Sequence, residues 1–187
     1  EKGLATLAVV NVIGSSIARE ADKVFYTLAG PEISVATTKA YSAQLSALYL
    51  ISVKIARVRG LISIGDERAL CTELQRLPEC ITETLKCQPD MQRIATLYAN
   101  RPSVFFLGRG LDYAAALEAS LKLKEISYIH SEAYAAGELK HGTISLIEEG
   151  TLVVALATQP ALFEKTVSNM VECKSRGAYL MGLTTYG

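Results

Sequence analysis

The stretch Ser103–His130, SVFFLGRGLDYAAALEASLKLKEISYIH, contains the succession of elements that decides the fold class. The residues SVFFL at 103–107 predict a buried strand. The glycines of Gly108-Arg109-Gly110 predict a tight loop, and the residues from Leu111 to about His130 predict a long helix. A buried strand followed directly by a long helix is typical of an α/β protein with a parallel sheet.

The same succession continues towards the C-terminus. Strands are predicted at Leu152–Ala157 and Tyr179–Leu183, with a helix from Pro160 to about Ser175 between them. No element is predicted for the short segment around Ala133–Leu139. Strands that alternate with helices imply right-handed crossovers, with helices on both faces of a parallel sheet.

The N-terminal half starts in the same way and then becomes helical. Short strands are predicted at Leu7–Val12 and Val24–Thr27, with a short helix between them that Ser15 or Ser16 caps. Helices follow at Thr38–Arg57, at Asp66–Lys86 with a break or kink at Pro78, and from Pro89 to about Ala99. Two strands are too few for an independent sheet of this kind, so we expect an incomplete first unit and a boundary near Gln88.

The composition excludes several classes of partner. The 187 residues contain 19 Lys or Arg and 19 Asp or Glu, so no global charge favours nucleic acid or an anionic membrane. No apolar stretch is long enough to span a bilayer, and the start does not resemble a signal peptide. The four cysteines show no CxxC spacing and indicate thiols in a reducing compartment, so we expect a cytoplasmic protein.

Three segments contain residues suited to chemistry. The loop 30–39, GPEISVATTK, offers amides and hydroxyls before a helix, although an ordinary capping segment has the same pattern. Lys122 and Glu125 share a helix face, which is also typical of a solvated surface pair. His141 lies in the glycine-flanked segment 136–142, AGELKHG, where a surface histidine is the simpler interpretation. Gly108-Arg109-Gly110 lacks the GxGxxG pattern because position 113 is Tyr, which favours a tight turn.

Two of these segments lie in longer motifs that resemble one family. The sequence AGPEISVATTKAY at 29–41 resembles the first sugar isomerase (SIS) domain of the glutamine–fructose-6-phosphate aminotransferase (glucosamine-6-phosphate synthase) family. The sequence LEASLKLKEISYIHSEAYAAGELKHG at 117–142 is similar to the signature of that family's second SIS domain. RLPECI at 76–81 and FFLGRG at 105–110 follow the same order, so the resemblance covers essentially the whole chain.

The resemblance implies a fold and a set of site residues. Each SIS unit is expected to be a flavodoxin-like αβα layer structure with a parallel sheet. Residues 1–88 would form the C-terminal part of the first SIS domain with a helical connector, and residues 89–187 most of the second. Glu125 would move a proton between sugar carbons 1 and 2 with the help of Lys122, and His141 would open the sugar ring of the opposite subunit. Val35 and Thr37 would contact the sugar.

The resemblance also implies an activity and partners. Fructose 6-phosphate and glutamine would be converted to glucosamine 6-phosphate and glutamate by a homodimer. A glutaminase domain of the same full-length chain would supply ammonia, and neither a metal nor a nicotinamide cofactor would be needed. No nucleic acid or membrane partner is expected.

The chain departs from the family pattern at a few positions. Thr143 stands where proline is usual, and Thr37 where serine is usual. The phosphate loop would precede Leu4, and a ring-opening lysine would follow Gly187, so we expect a segment truncated at both ends and inactive alone. Two alternatives stay open: another SIS enzyme, such as a sugar-phosphate deaminase or deglycase, and a non-catalytic sugar-phosphate sensor.

Overall fold

The computed structural model describes residues 3–185, which divide into two compact units. The first unit is Glu1–Pro89 and the second is Asp90–Gly187. The division falls after Pro89, close to the boundary that the sequence predicts near Gln88. None of the described helices is long and apolar enough to cross a membrane.

The first unit starts with two short parallel strands joined by one helical turn. Strand β1 (Leu7–Val10) pairs with β2 (Lys23–Tyr26), and α1 (Ser16–Glu20) connects them. The hydroxyl of Ser15 accepts a hydrogen bond from the Ala18 amide and caps α1, as the sequence predicted. β1 ends two residues earlier than expected from the apolar run, because the backbone bends after Val10.

Two long helices complete this unit. Helix α2 (Thr38–Val58) is followed by α3 (Ile64–Thr84), whose start is fixed by a capping box between Ser63 and Asp66. Of the break or kink predicted at Pro78, the break does not occur, since α3 continues through that residue. A proline removes one amide donor and one intrahelical bond, and the remaining bonds of a long helix hold its two halves together. The next helix, α4 (Gln88–Tyr98), lies mostly in the second unit and begins with Pro89 in its first turn, as predicted.

The second unit is built on a four-stranded parallel sheet. Its strands, in the spatial order β4-β3-β5-β6, are β4 (His130–Ala135), β3 (Ser103–Gly108), β5 (Leu152–Ala157) and β6 (Tyr179–Thr184). Helix α5 (Leu111–Ser127) connects β3 to β4, and α6 (Phe163–Lys174) connects β5 to β6. The predicted α/β class with a parallel sheet is therefore confirmed.

The two central strands are buried on both faces. Phe105, Leu107 and Val153 lie in one apolar layer, which also contains Cys173 of α6. Val104, Phe106, Leu152 and Val154 lie in the other, with Ala116 of α5. Alternate residues of a strand point to opposite faces, so a strand covered on both sides needs the continuous apolar run found at 103–107.

Two boundaries of this unit differ from the prediction. α5 ends at Ser127 rather than near His130, because Tyr128 adopts a left-handed conformation with φ of 60°. His130 then begins β4, an edge strand that the sequence-based assignment missed. Its residues HSEAYA mix polar and apolar side chains, which is normal for an edge strand but a weak signal in the sequence.

Candidate active site

Helix α5 brings three charged side chains together. The Nζ atom of Lys122 lies 2.6 Å from Oε2 of Glu125 and 3.4 Å from Oε1 of Glu118. Each of the three side chains is about one-quarter exposed: 20% for Lys122, 27% for Glu125 and 23% for Glu118. The structure thus pairs Lys122 with Glu125, as predicted from their spacing, and adds Glu118 to the group.

The two carboxylates keep the lysine charged. The hydrogen bond to Glu125 raises the pKa of Lys122, desolvation opposes this effect, and the charges of Glu125 and Glu118 add to it. An ammonium of this kind can donate a proton or stabilise a developing negative charge on oxygen. The neighbouring carboxylate of Glu125 can accept a proton, so the pair combines a base with a fixed positive charge.

Glu118 was absent from the residues selected in the sequence. The spacing of Glu118 and Lys122 is i,i+4, which places them on the same helix face and was a usable signal. The opposite face of α5 holds Asp112, Ala116 and Ser120, all buried against the sheet. Because these residues fix the rotation of the helix about its axis, the charged group faces away from the sheet.

His141 lies in a different element of the same unit. After β4 the chain turns at Ala136, which is fully buried, and forms a short 3-10 turn at Leu139–His141. The side chain of Leu139 is also fully buried and anchors this turn to the core, whereas His141 is exposed. Gly142 then has a φ of 145°, a conformation that favours glycine. The histidine is therefore presented to the surroundings from a well-anchored turn.

Val35 and Thr37 belong to the first unit, in the loop before α2. One carboxylate oxygen of Glu32 accepts hydrogen bonds from the amides of Ile33 and Ser34, at 3.0 and 3.1 Å. The hydroxyl of Thr37 donates to the carbonyl of Val35 at 2.9 Å. The loop is thus braced by its own side chains, and the amides of Ile33 and Ser34 are engaged within it.

Thr37 occupies the N-cap position of α2 without capping the helix through its side chain. Its φ of 53° lies in the left-handed region, which is uncommon for a β-branched residue. Backbone conformations of this kind persist only where the surroundings enforce them, and they concentrate at functional sites. The left-handed conformation of Thr37 therefore agrees with the prediction that this loop contacts a ligand.

The Gly108-Arg109-Gly110 segment is a tight turn, as the sequence favoured. A Cβ atom on Gly108 would lie 2.4 Å from the backbone of Asp112, so the start of α5 packs directly against the end of β3. The guanidinium of Arg109 donates to Oδ1 of Asn169, and Gln159 donates to the carbonyl of Arg109. These bonds tie the turn to the neighbouring β5–α6 segment.

Comparison with known proteins bears directly on this arrangement. The sequence profile described as SIS domain matches residues 1–54 and 97–186, which include the loop before α2, helix α5 and the His141 turn. The chain belongs to the SIS domain family.

Two relatives of this SIS protein share one name. It is 54% identical over 186 residues to the glutamine–fructose-6-phosphate aminotransferase [isomerizing] of Caldanaerobacter subterraneus subsp. tengcongensis, covering 100% of this chain and 31% of that protein. It is 51% identical to the protein of the same name from Methanosarcina mazei, covering 95% of this chain and 29% of that protein. The chain therefore spans about one-third or less of the length of these curated relatives.

A solved structure shows the same fold. The C-terminal domain of glucosamine-fructose-6-phosphate aminotransferase from Francisella tularensis superposes with a TM-score of 0.94 at 38% sequence identity. The match covers 97% of this SIS chain and 51% of that chain. The flavodoxin-like αβα class predicted from the sequence is therefore confirmed.

Proposed function

We propose that this SIS protein is the sugar-phosphate isomerase part of an enzyme that makes glucosamine 6-phosphate and glutamate from fructose 6-phosphate and glutamine. The observation that carries the proposal is the Glu118–Lys122–Glu125 group on α5, which places a base 2.6 Å from a charged ammonium. Relatives that are about half identical to this chain carry the name of this activity.

The proposed reaction requires a proton to move between carbons 1 and 2 of the sugar. The carboxylate of Glu125 takes a proton from carbon 1 of the protonated imine formed at carbon 2, which gives an enolamine, and then returns the proton to carbon 2. The hydroxyl on carbon 1 loses its proton and becomes the aldehyde, so carbon 1 is oxidised as carbon 2 is reduced. The ammonium of Lys122 stabilises the negative charge that develops on the oxygen bonded to carbon 1. General base catalysis of this kind accounts for about 10²- to 10⁴-fold of rate enhancement.

The other site residues serve substrate preparation and binding. His141 donates a proton to the ring oxygen and opens the cyclic sugar, which exposes the carbonyl group to ammonia. Val35 and Thr37 contact the sugar from the loop before α2. The exposed position of His141 on its anchored turn supports a role towards a second subunit, and we place it in the site of the partner in a homodimer.

The two matched segments correspond to two domains in this proposal. Residues 1–88 are the C-terminal part of a first SIS domain with a helical connector, and residues 89–187 are most of a second. A glutaminase domain of the same full-length protein supplies ammonia. We expect the reaction to take place in the cytoplasm, where sugar phosphates and reduced thiols are found.

The test is an assay of the full-length protein. Fructose 6-phosphate is supplied with glutamine, with ammonium salt or with neither, and glucosamine 6-phosphate is measured by mass spectrometry. The proposal predicts product with glutamine and none without a nitrogen source. Interconversion of sugar phosphates that ignores glutamine would instead indicate another SIS enzyme. Saturable binding of fructose 6-phosphate without turnover would indicate a sensor.

A further inference from the structure

A pair of buried serines joins α5 to the edge strand β4. Ser120 of α5 is 2% exposed and Ser131 of β4 is 1% exposed. Their hydroxyl oxygens lie 3.0 Å apart, and the hydroxyl of Ser131 also donates to the backbone carbonyl of Ser120 at 2.8 Å. Buried hydroxyls need hydrogen-bond partners, and each of these finds its partner in the other residue.

The direction of both hydrogen bonds follows from the number of protons. A serine hydroxyl has one proton to donate. Since Ser131 gives its proton to the Ser120 carbonyl, the bond between the two hydroxyls is donated by Ser120. The pair is thus closed, and neither hydroxyl is left without a donor or acceptor role.

The serine pair lies between the helix that carries Lys122 and the strand that leads to the His141 turn. Lys122 follows Ser120 by two positions, and only Tyr128 and Ile129 separate α5 from β4. β4 then leads to the turn that carries His141. The contact between Ser120 and Ser131 therefore sets the spacing between the helix that carries the charged group and the strand that leads to the histidine.

Small side chains are required at this spacing. An oxygen can approach a carbonyl to 2.8 Å because it donates a hydrogen bond, whereas a methyl carbon needs about 3.3–3.6 Å. A branched aliphatic side chain at either position would push the helix and the strand apart by about 0.5 Å or more. It would also leave the remaining hydroxyl without its partner.

We propose that Ser120 and Ser131 are positioning residues whose paired, small side chains set the distance of α5 from β4. In each subunit they would thereby place Lys122 and Glu125 for its own site and the His141 turn for the site of the partner subunit. The catalytic consequence rests on the proposed function, and the structural consequence does not. Lys122 and its two carboxylates all belong to α5, so a displaced helix carries them together.

The test compares two kinds of substitution in the full-length protein. Ser131→Val should lower kcat by about 10- to 100-fold with KM changed less than about twofold, since a misplacement of about 1 Å can cost about 10²-fold. The double variant Ser120→Ala/Ser131→Ala should keep kcat within about threefold, because both side chains stay small and no hydroxyl is orphaned. A double variant as slow as Ser131→Val would overturn the spacing argument, as would a fully active Ser131→Val.

Controls separate positioning from loss of stability. Thr166 of α6 is also 1% exposed, and its hydroxyl donates to the Leu162 carbonyl within its own helical segment. Thr166→Val should therefore lower the melting temperature while kcat is unchanged. If Ser131→Val does not fold, Ser131→Thr adds a single methyl group, and it should lower kcat by about threefold or more.

The two proposals can fail separately. If the wild-type protein shows no turnover, the proposed function fails, and a crystal structure of the Ser131 variant still decides the spacing. Displacement of α5 from β4 by about 0.5 Å relative to the wild type would support the inference. An unchanged distance between the helix and the strand would overturn it.

Discussion

Glu125 and Lys122 form a pair whose geometry also occurs elsewhere in the chain on a plain surface. Lys86 lies 2.6 Å from Glu83, again at i,i+3 spacing, but both side chains are 68% exposed. The Lys122 pair is far less exposed and has a second carboxylate, Glu118, on the same helix face. Burial and the third member distinguish a candidate catalytic group from a solvated ion pair that contributes little.

Substitution of the proposed base tests this distinction. Glu125→Gln keeps the shape of the side chain but removes the proton acceptor, so we expect kcat of the full-length protein to fall about 10²- to 10⁴-fold, or about 3–5 kcal/mol. Fructose 6-phosphate affinity, measured by calorimetry, should stay within about threefold. Glu83→Gln is the matched control and should leave kcat unchanged. A Glu125→Gln enzyme of wild-type rate would return the pair to a surface role.

The titration of Lys122 gives a second test, independent of turnover. Because the bond to Glu125 raises its pKa, the ammonium should lose its proton at a higher pH than an ordinary lysine, whose pKa is about 10.4. The stabilisation from this pairing is present below the ordinary pKa and is lost as the pH rises through the raised value. Nitrogen-15 NMR of the side-chain amine measures the midpoint.

Substitution of each carboxylate tests how much it raises the pKa of Lys122. Glu125→Gln should lower the midpoint more than Glu118→Gln does, since Glu125 makes the 2.6 Å contact and Glu118 the 3.4 Å one. Equal midpoints for Lys122 in the wild-type protein and in the Glu125→Gln variant would contradict the electrostatic description of the site.

At the scale of the elements, the start of α5 depends on one glycine. The added Cβ of an alanine at position 108 would meet the backbone of Asp112 and Tyr113 at 2.4–2.5 Å. Backbone atoms cannot rotate out of the way as a flexible side chain can. Either α5 or β3 must therefore shift to accommodate the change.

We expect Gly108→Ala to destabilise the protein by about 1–3 kcal/mol, the range for overpacking of a well-packed site. Urea denaturation followed by circular dichroism measures the loss. Gly65 in the first turn of α3 is the control, because a Cβ there would lie an ordinary 3.4 Å from the Ser63 hydroxyl. Gly65→Ala should be neutral or stabilise by up to about 1 kcal/mol. Equal stability of the two alanine variants would refute the close approach at Gly108.

At the scale of the whole molecule, the proposed role of His141 joins assembly to chemistry. If His141 serves the partner subunit, then His141→Ala and Glu125→Gln homodimers of the full-length protein should each be nearly inactive. Mixed heterodimers would contain one site with both residues intact. We therefore expect about half of the wild-type activity per heterodimer, since a symmetric dimer has two sites.

Native mass spectrometry of the mixture measures the heterodimer fraction, and the activity is compared with that fraction. Heterodimers of each variant with wild-type protein provide the reference for a single working site. Heterodimers that are present but inactive would show that each subunit uses its own histidine, whereas an active His141→Ala homodimer would show that His141 has no catalytic part.

The sequence alone determined the class of the fold and the identity of most candidate residues. Runs such as SVFFL at 103–107 predict buried strands because a strand covered on both faces must be apolar at every position. The spacing of Lys122 and Glu125 placed them on one helix face for an equally local reason. The motifs at 29–41 and 117–142 indicated the family, which the SIS profile then matched.

Only the tertiary structure decided the features that depend on partners distant in the chain or on weak local patterns. β4 became a strand because its backbone pairs with β3, although HSEAYA by itself has no strong strand signal. α3 continues through Pro78 because a long helix tolerates the loss of one bond. Ser120 and Ser131 are ordinary polar residues in the sequence, and their pairing exists only because α5 folds back onto β4. A local pattern specifies which element forms, whereas the packing of one element on another decides which side chains meet.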